Sequence, residues 1–345
     1  MKTRISRRGF LAGTTAAGLT LAAPAIVRAA GGELRVLTWE GYAEPEWVEP
    51  FKAATGAAVS IVYVGSADEM FARMQGSKGA DYDVVSFDTS IFPRYIDAGL
   101  LAPLDVAKVP NAANLAPAFQ HVEAIMRDGK QYGMPFGWGS LPLVYDKAAF
   151  PTPPDSWEAM WDPQYVQQVI SQDDANNCIT LGAIVAGVKN PFNLSDADFE
   201  TVKAKLIALK GNLLTFFAGF DEGVNIFAQN GIKLMYSMGE PQVPALQKLG
   251  VDAALTIPKE GAIGWLDCWV MSAGARDPAL ALAWINACLD PAVGKVLTEK
   301  SGYGNTTNTA VNDAAGMTYG DRLIWLLPAE NYEKRVQVWN EVKAA

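Results

Sequence analysis

The chain has 345 residues, with 37 acidic against 28 basic side chains and a formal net charge of −9. That balance argues against nucleic acid and anionic membrane surfaces as partners and mildly favours cationic ligands. The single histidine, His121, closes off most imidazole-based acid–base and metal chemistry, and three widely spaced cysteines, Cys178, Cys268 and Cys288, exclude a full disulfide framework and match no zinc spacing.

The first thirty residues read as an export signal. Lys2, Arg4, Arg7 and Arg8 precede any acidic residue, and an alanine-rich apolar stretch from about Leu11 to Val27 follows. It is too short and too rich in small residues to span a bilayer stably. Ser6-Arg7-Arg8-Gly9-Phe10-Leu11 carries the paired arginines and following hydrophobics of a twin-arginine signal, an ordinary secretory signal being the alternative. Ala29 and Ala30 fit a peptidase site, and no cysteine stands there to take a lipid. Residues 1–30 are therefore expected to be a removed twin-arginine signal and the rest to work free in the periplasm. The remainder exceeds the size that one hydrophobic core usually serves, so two lobes are expected.

Strands and helices then alternate. Leu34–Trp39 reads as a strand, Pro45–Thr55 as a helix closed by Gly56, and Val59–Val64 as a strand. Ala67–Met74 reads as a helix, Tyr82–Phe87 as a strand, and Ile91–Ala98 as a helix stopped by Gly99. Such a series is the signature of an α/β lobe with a largely parallel sheet. Met134 to Pro142 is too punctuated by Gly and Pro for a regular element and reads as a crossover into a second lobe. There, a helix capped by Asp155 or Ser156 is expected, then a strand over Val166–Ile170 delivering Asp173 and Asp174 to its end. A helix over Ser195–Leu209 with Ser195 as N-cap and a strand over Lys233–Met238 follow. Gly264–Val270 reads as a strand, Pro278–Leu289 as a helix, and Asp321–Val342 as a helix punctuated by Pro328.

No G-x-S-x-G elbow, P-loop, G-x-G-x-x-G after a strand or H-E-x-x-H is present, so no catalytic residue, metal or cofactor is expected. Aromatic residues instead stand beside carboxylates at strand ends: Trp39-Glu40-Gly41-Tyr42, Asp88, Asp173-Asp174, Glu240 and Trp265-Leu266-Asp267. Open α/β sheets bind ligands beyond the carboxyl ends of their strands. Aromatic faces with carboxylates suit an ammonium group, each cation–π contact contributing about 0.5–2 kcal/mol. Trp39 could equally be core and Asp173-Asp174 a capping turn, whereas Asp267 within an apolar strand would be costly without a partner.

Taken in order, these segments resemble the periplasmic polyamine-binding receptors of ATP-binding-cassette importers. Further carriers are Tyr132-Gly133-Met134-Pro135, Asp155-Ser156-Trp157, Pro258-Lys259-Glu260-Gly261 and Gly302-Tyr303-Gly304-Asn305. The resemblance implies a type II periplasmic-binding fold of two hinged α/β lobes, expected at 31–140 plus 265–310 and 141–264 plus 311–345, with crossings near 138–142, 263–266 and 308–312. It also implies a monomer that binds a small organic amine such as putrescine or spermidine and presents it to the transmembrane subunits of a permease. Trp39, Tyr42, Trp265 and Tyr303 would flank the alkyl chain, and Asp174 and Asp267 would hold ammonium groups. Glu40, Asp88, Asn177 and Glu240 complete the expected contacts. Departures from the family pattern at Phe87, Asn177 and Glu240-Pro241 are expected to alter the cleft's wall and charge. An amino acid such as 4-aminobutyrate is the second reading, and a carboxylate-dependent hydrolase the third.

Overall fold

The computed structural model describes residues 31–65 and 67–345; the expected twin-arginine signal lies outside the described residues. The strands that frame the molecule are β1 (Glu33–Thr38), β2 (Ala58–Tyr63), β3 (Val84–Asp88), β4 (Gly133–Ser140), β5 (Leu143–Asp146) and β6 (Val169–Gln172). They continue with β7 (Leu213–Phe217), β8 (Leu234–Tyr236), β9 (Ala253–Thr256), β10 (Ala262–Ser272), β11 (Gly304–Asn305) and β12 (Leu323–Trp325). One sheet runs β11-β4-β10-β3-β1-β2, with β12 also paired to β10; a second runs β7-β6-β8-β5-β9. Both are mixed: β1 is parallel to β2 and β3 while β10 is antiparallel to β3 and β4, and β6 is parallel to β7 and β8 while β5 is antiparallel to β8.

Local chemistry sets the helix ends. Pro45 opens the helix Pro45–Thr55, Trp47, Val48 and Phe51 form its buried face, and Gly56 closes it at φ 70 while donating to the Lys52 carbonyl. Ser195 caps Asp196–Lys210 in a reciprocal box with Asp198. Each sheet builds its own core. Leu34, Val36, Met134, Trp269 and Trp284 belong to the first. In the second sheet, Leu143, Val169 and Leu234 face one cluster, and their neighbours Val144, Ile170 and Met235 face another. Successive strand residues point to opposite faces, so a sheet covered on both sides reads as an unbroken apolar run.

Two expectations are corrected. Met134–Ser140, read as irregular, lies in β4, an eight-residue strand buried throughout. Its glycines are spaces for rings: an added Cβ would lie 2.6 Å from Phe92 at Gly133, 2.8 Å from the Tyr42 hydroxyl at Gly137 and 2.4 Å from Trp265 at Gly139. A bulge that skips Phe136, between the pairs Asp267↔Gly137 and Cys268↔Pro135, lets Pro135 sit in an internal strand without donating. The C-terminal segment is not one broken helix. Leu323–Trp325 pairs in parallel with Ala262–Gly264 as β12, a short 3-10 turn covers Gly320–Arg322, and only Tyr332–Ala344 is α-helical; the tertiary pairing overrides the local pattern.

Among the described residues the chain passes between the cores three times. Trp138 packs in the first core and Leu141 in the second; Ile263 packs in the second and Leu266 in the first. The third passage, expected near 308–312, comes later. Helix Thr309–Ala314 packs on helix Pro291–Ser301 and β11, Met317 is still in the first core, and Leu326 is in the second.

Candidate functional site: an acidic, aromatic-walled cleft

A cleft of about 470 Å³ lies between the two cores, lined from one side by the ends of β1 and β3 and the first half of β10 and from the other by the end of β6 and the start of the helix Ala175–Val185. Of the ten residues predicted from sequence, nine line it: Trp39, Glu40, Tyr42, Asp88, Asp174, Asn177, Trp265, Asp267 and Tyr303.

Asp88 and Asp267 are direct cross-strand partners on antiparallel β3 and β10, so their side chains leave the same face of the sheet about 4.5–5.5 Å apart at Cα. Burial pushes the Asp267 carboxyl up to about 8, and the facing Asp88 adds to the rise; hydrogen bonds from Tyr42 and Trp39 oppose it. Asp88 is also raised by burial, although it caps the turn Thr89–Ile91 by accepting from the Ser90 backbone at 2.8 Å and from the Ser90 hydroxyl. A buried carboxylate and a half-buried one side by side resist joint ionisation unless a cation joins them.

The aromatic walls are set edge to face. Tyr303 meets Trp265 at 5.0 Å and 85° and Tyr42 at 6.3 Å and 84°, while Tyr42 rests on Phe136 at 5.2 Å. Such packing fixes ring orientation. Tyr303 follows Gly302, whose φ of 72 ends the preceding helix. Behind it, Asn305 donates to Thr298 and Asn312 in a buried knot.

On the opposite wall Asp174 caps the helix Ala175–Val185, accepting from the Asn177 backbone at 2.7 Å. It is exposed by area, yet the surrounding walls cost its carboxylate hydration and raise its pKa. Its neighbour Asp173 is already engaged, accepting from Trp339 Nε1 at 2.7 Å and Lys343 Nζ at 2.9 Å. Asn177 donates to Gln172 Oε1 at 3.1 Å and Gln172 donates to the Ser237 carbonyl at 2.8 Å, a chain of amides beneath the ligand space. Among the described residues that line the cleft there is no Lys or Arg.

Two sequence expectations change. Glu240 does not line the cleft. It lies behind Trp265, 7% exposed, with Oε1 accepting from the Ser140 backbone at 2.8 Å, the Ser140 hydroxyl at 2.6 Å and the Tyr319 hydroxyl at 3.2 Å. Phe87 stacks on Tyr95 at 4.2 Å and packs edge-on against Phe92 in the first core; alternation along β3 turns it away from the face that carries Asp88. Sequence reasoning missed Gln172 and Met238, which close the cleft at the ends of β6 and beyond β8, and the apolar floor of Leu141, Ile263 and Leu326. Gln172 was findable as a polar residue ending a buried strand. The floor residues come from the three crossings and carry no local signal. Among the described residues no group of three or more His, Cys, Asp or Glu could hold a metal ion, and all three cysteines are free and buried.

Two α/β lobes joined by three crossings around one acidic cleft define a solute receptor of the periplasmic-binding type. The chain belongs to the family described as bacterial extracellular solute-binding protein, whose profile matches residues 46–320. It is 27% identical over 267 residues to the spermidine/putrescine-binding periplasmic protein of Escherichia coli, covering 77% of this chain and 75% of that one. It is 25% identical over 350 residues to the putrescine-binding periplasmic protein of Pseudomonas aeruginosa, covering 96% and 94%. Among solved structures, the substrate-binding protein of the Streptococcus pneumoniae spermidine/putrescine transporter superposes with a TM-score of 0.78 at 21% identity, covering 91% of this chain and 99% of that one.

Proposed function

We propose that this protein is the periplasmic receptor of an ATP-binding-cassette importer and holds a small organic di- or polyamine, putrescine or spermidine in class, between its lobes. The observation that carries this reading is the pair of buried Asp267 and half-buried Asp88, facing each other across β3 and β10 inside an aromatic box with no basic residue among its described lining residues. An ammonium placed there would donate to both carboxylates, neutralise their charge and lie against Trp39, Tyr42, Trp265 and Tyr303, with Asp174 and Glu40 left for a second amine. Asn177 would contribute its amide, and Glu240 no direct contact. Ligand is bound and returned intact, without turnover. The relatives' names, which specify putrescine and spermidine, support the same class.

We further propose that residues 31–140 with 264–319 move against 141–263 with 326–345 by rotation at the three crossings. The closed monomer would then meet the permease subunits, after export by the twin-arginine route. The 4-aminobutyrate reading is disfavoured because a carboxylate in the cleft would meet aspartates and no Lys or Arg. Titration calorimetry with putrescine, spermidine and 4-aminobutyrate decides: saturable binding of at least one amine and none of the amino acid is expected. Binding of 4-aminobutyrate alone would overturn the reading.

A further inference from the structure

The structure assigns to Glu240 a positioning role: its carboxylate gathers the three interlobe crossings and so sets both the angle at which the lobes close and the seat of the Trp265 wall. This rests on the cleft being the ligand site, and not on which amine fills it.

Glu240 follows β8, within the second lobe, yet both hydrogen-bond partners of its carboxylate, Ser140 and Tyr319, belong to crossings. Ser140, held through backbone and hydroxyl at 2.8 and 2.6 Å, ends β4 at the first. Tyr319, whose hydroxyl donates at 3.2 Å, stands at the third, between Met317 of the first core and Leu326 of the second. The second crossing enters through Trp265. A Cβ added at Gly139 would lie 2.4 Å from Trp265 Cζ2 and 2.9 Å from Glu240 Oε2, so ring edge and carboxylate share the space that a glycine leaves open. The next residue, Pro241, comes within 3.7 Å of a Cβ built at Gly302, beside Tyr303. One side chain thus bonds to the first and third segments that must turn when the lobes move and borders the same small space as the Trp265 ring of the second, while its chain neighbour Pro241 stands near the Tyr303 wall. A buried carboxylate that accepts three hydrogen bonds strongly disfavours arrangements that leave it unpaired, and Oε2 is already without a partner. Rotations that pull Ser140 or Tyr319 away are therefore suppressed, and the lobes are held near the angle that completes the box.

The test reads geometry and kinetics together. Dyes on Lys108→Cys in the first lobe and Lys248→Cys in the second, both exposed, report interlobe distance by single-molecule energy transfer. Stopped-flow mixing with putrescine and with spermidine gives the rate constants. Glu240→Ala is expected to broaden the ligand-free distance distribution and speed ligand dissociation at least about tenfold, with association changed by no more than about twofold. Glu240→Gln, whose amide oxygen can still accept from Ser140 and Tyr319, should stay within about threefold of the parent. Tyr319→Phe should be intermediate and add nothing to Glu240→Ala, as partners in one network do. Should Glu240→Ala fail to fold, Tyr319→Phe and Ser140→Ala carry the same test. Glu240→Gln as defective as Glu240→Ala would make the charge itself a ligand contact and overturn the assignment. So would an unchanged distance distribution and dissociation rate in Glu240→Ala or, in its absence, in both substitutes. If the parent protein binds neither amine, the proposed ligand class falls, while the ligand-free distance distributions still decide the role of Glu240.

Discussion

Replacing Asp267 with asparagine should stabilise the empty protein while disabling it. The folded protein holds the Asp267 proton until about pH 8, whereas the unfolded chain releases it near 3.8. Between those values the native state binds more protons than the unfolded state, so this residue's contribution to stability declines as pH rises. At pH 7 the linkage relation gives an upper limit of about 4 kcal/mol of destabilisation. Water entering the cleft will relieve part of it, leaving an expected gain of about 1–3 kcal/mol for Asp267→Asn, which carries no charge at any pH. The gain should be several times larger at pH 8 than at pH 4.5, as read from urea midpoints of the ligand-free protein. The same substitution removes a charge-assisted hydrogen bond to the ammonium, about 2–3 kcal/mol, or roughly 30- to 150-fold in Kd. A variant that is less stable at pH 8, or whose gain is the same at both pH values, would refute the electrostatic reasoning. Unchanged amine affinity would refute the site assignment.

Because an amine and a proton compete for the Asp88–Asp267 pair, amine affinity should fall as pH drops through 8 and binding at pH 7 should release a proton; calorimetry in buffers of different ionisation enthalpy measures that release. The adjacent aspartates should separate cleanly. Asp174→Asn should weaken amine binding about tenfold, whereas Asp173→Asn, whose carboxylate is held by Trp339 and Lys343, should lower the melting temperature and leave affinity within about twofold. Gly139→Ala drives a methyl into Trp265, and should cost about 1–3 kcal/mol of stability by overpacking together with most of the amine affinity. Parent-like denaturation and binding curves would show that the ring is free to move.

What the amino-acid order determined by itself was local. The alternation of strands and helices, the stop at Gly56, the Ser195 cap and the aspartates at strand ends follow from side-chain periodicity and short-range hydrogen bonding. Trp39, Glu40, Tyr42, Asp88 and Asp174 were legible for that reason, since a strand end exposes the residues that close it, whereas Trp265 and Asp267 lie inside the strand Ala262–Ser272 and Asn177 and Tyr303 were expected only from the family resemblance. Everything that required a distant partner was decided by the tertiary structure. Gly133, Gly137 and Gly139 look like turn residues until Phe92, Tyr42 and Trp265 fill the spaces beside them, and Leu323–Trp325 is a strand only because Ala262–Gly264 lies alongside. The pairing of Asp88 with Asp267 joins remote segments through sheet register, and register is a property of the packed sheet. Glu240 shows the limit most clearly. A carboxylate after a strand reads as a ligand contact, but whether it faces the cleft or the hinge behind it depends on where Ser140, Trp265 and Tyr319 come to rest, and only the assembled crossings bring those three together.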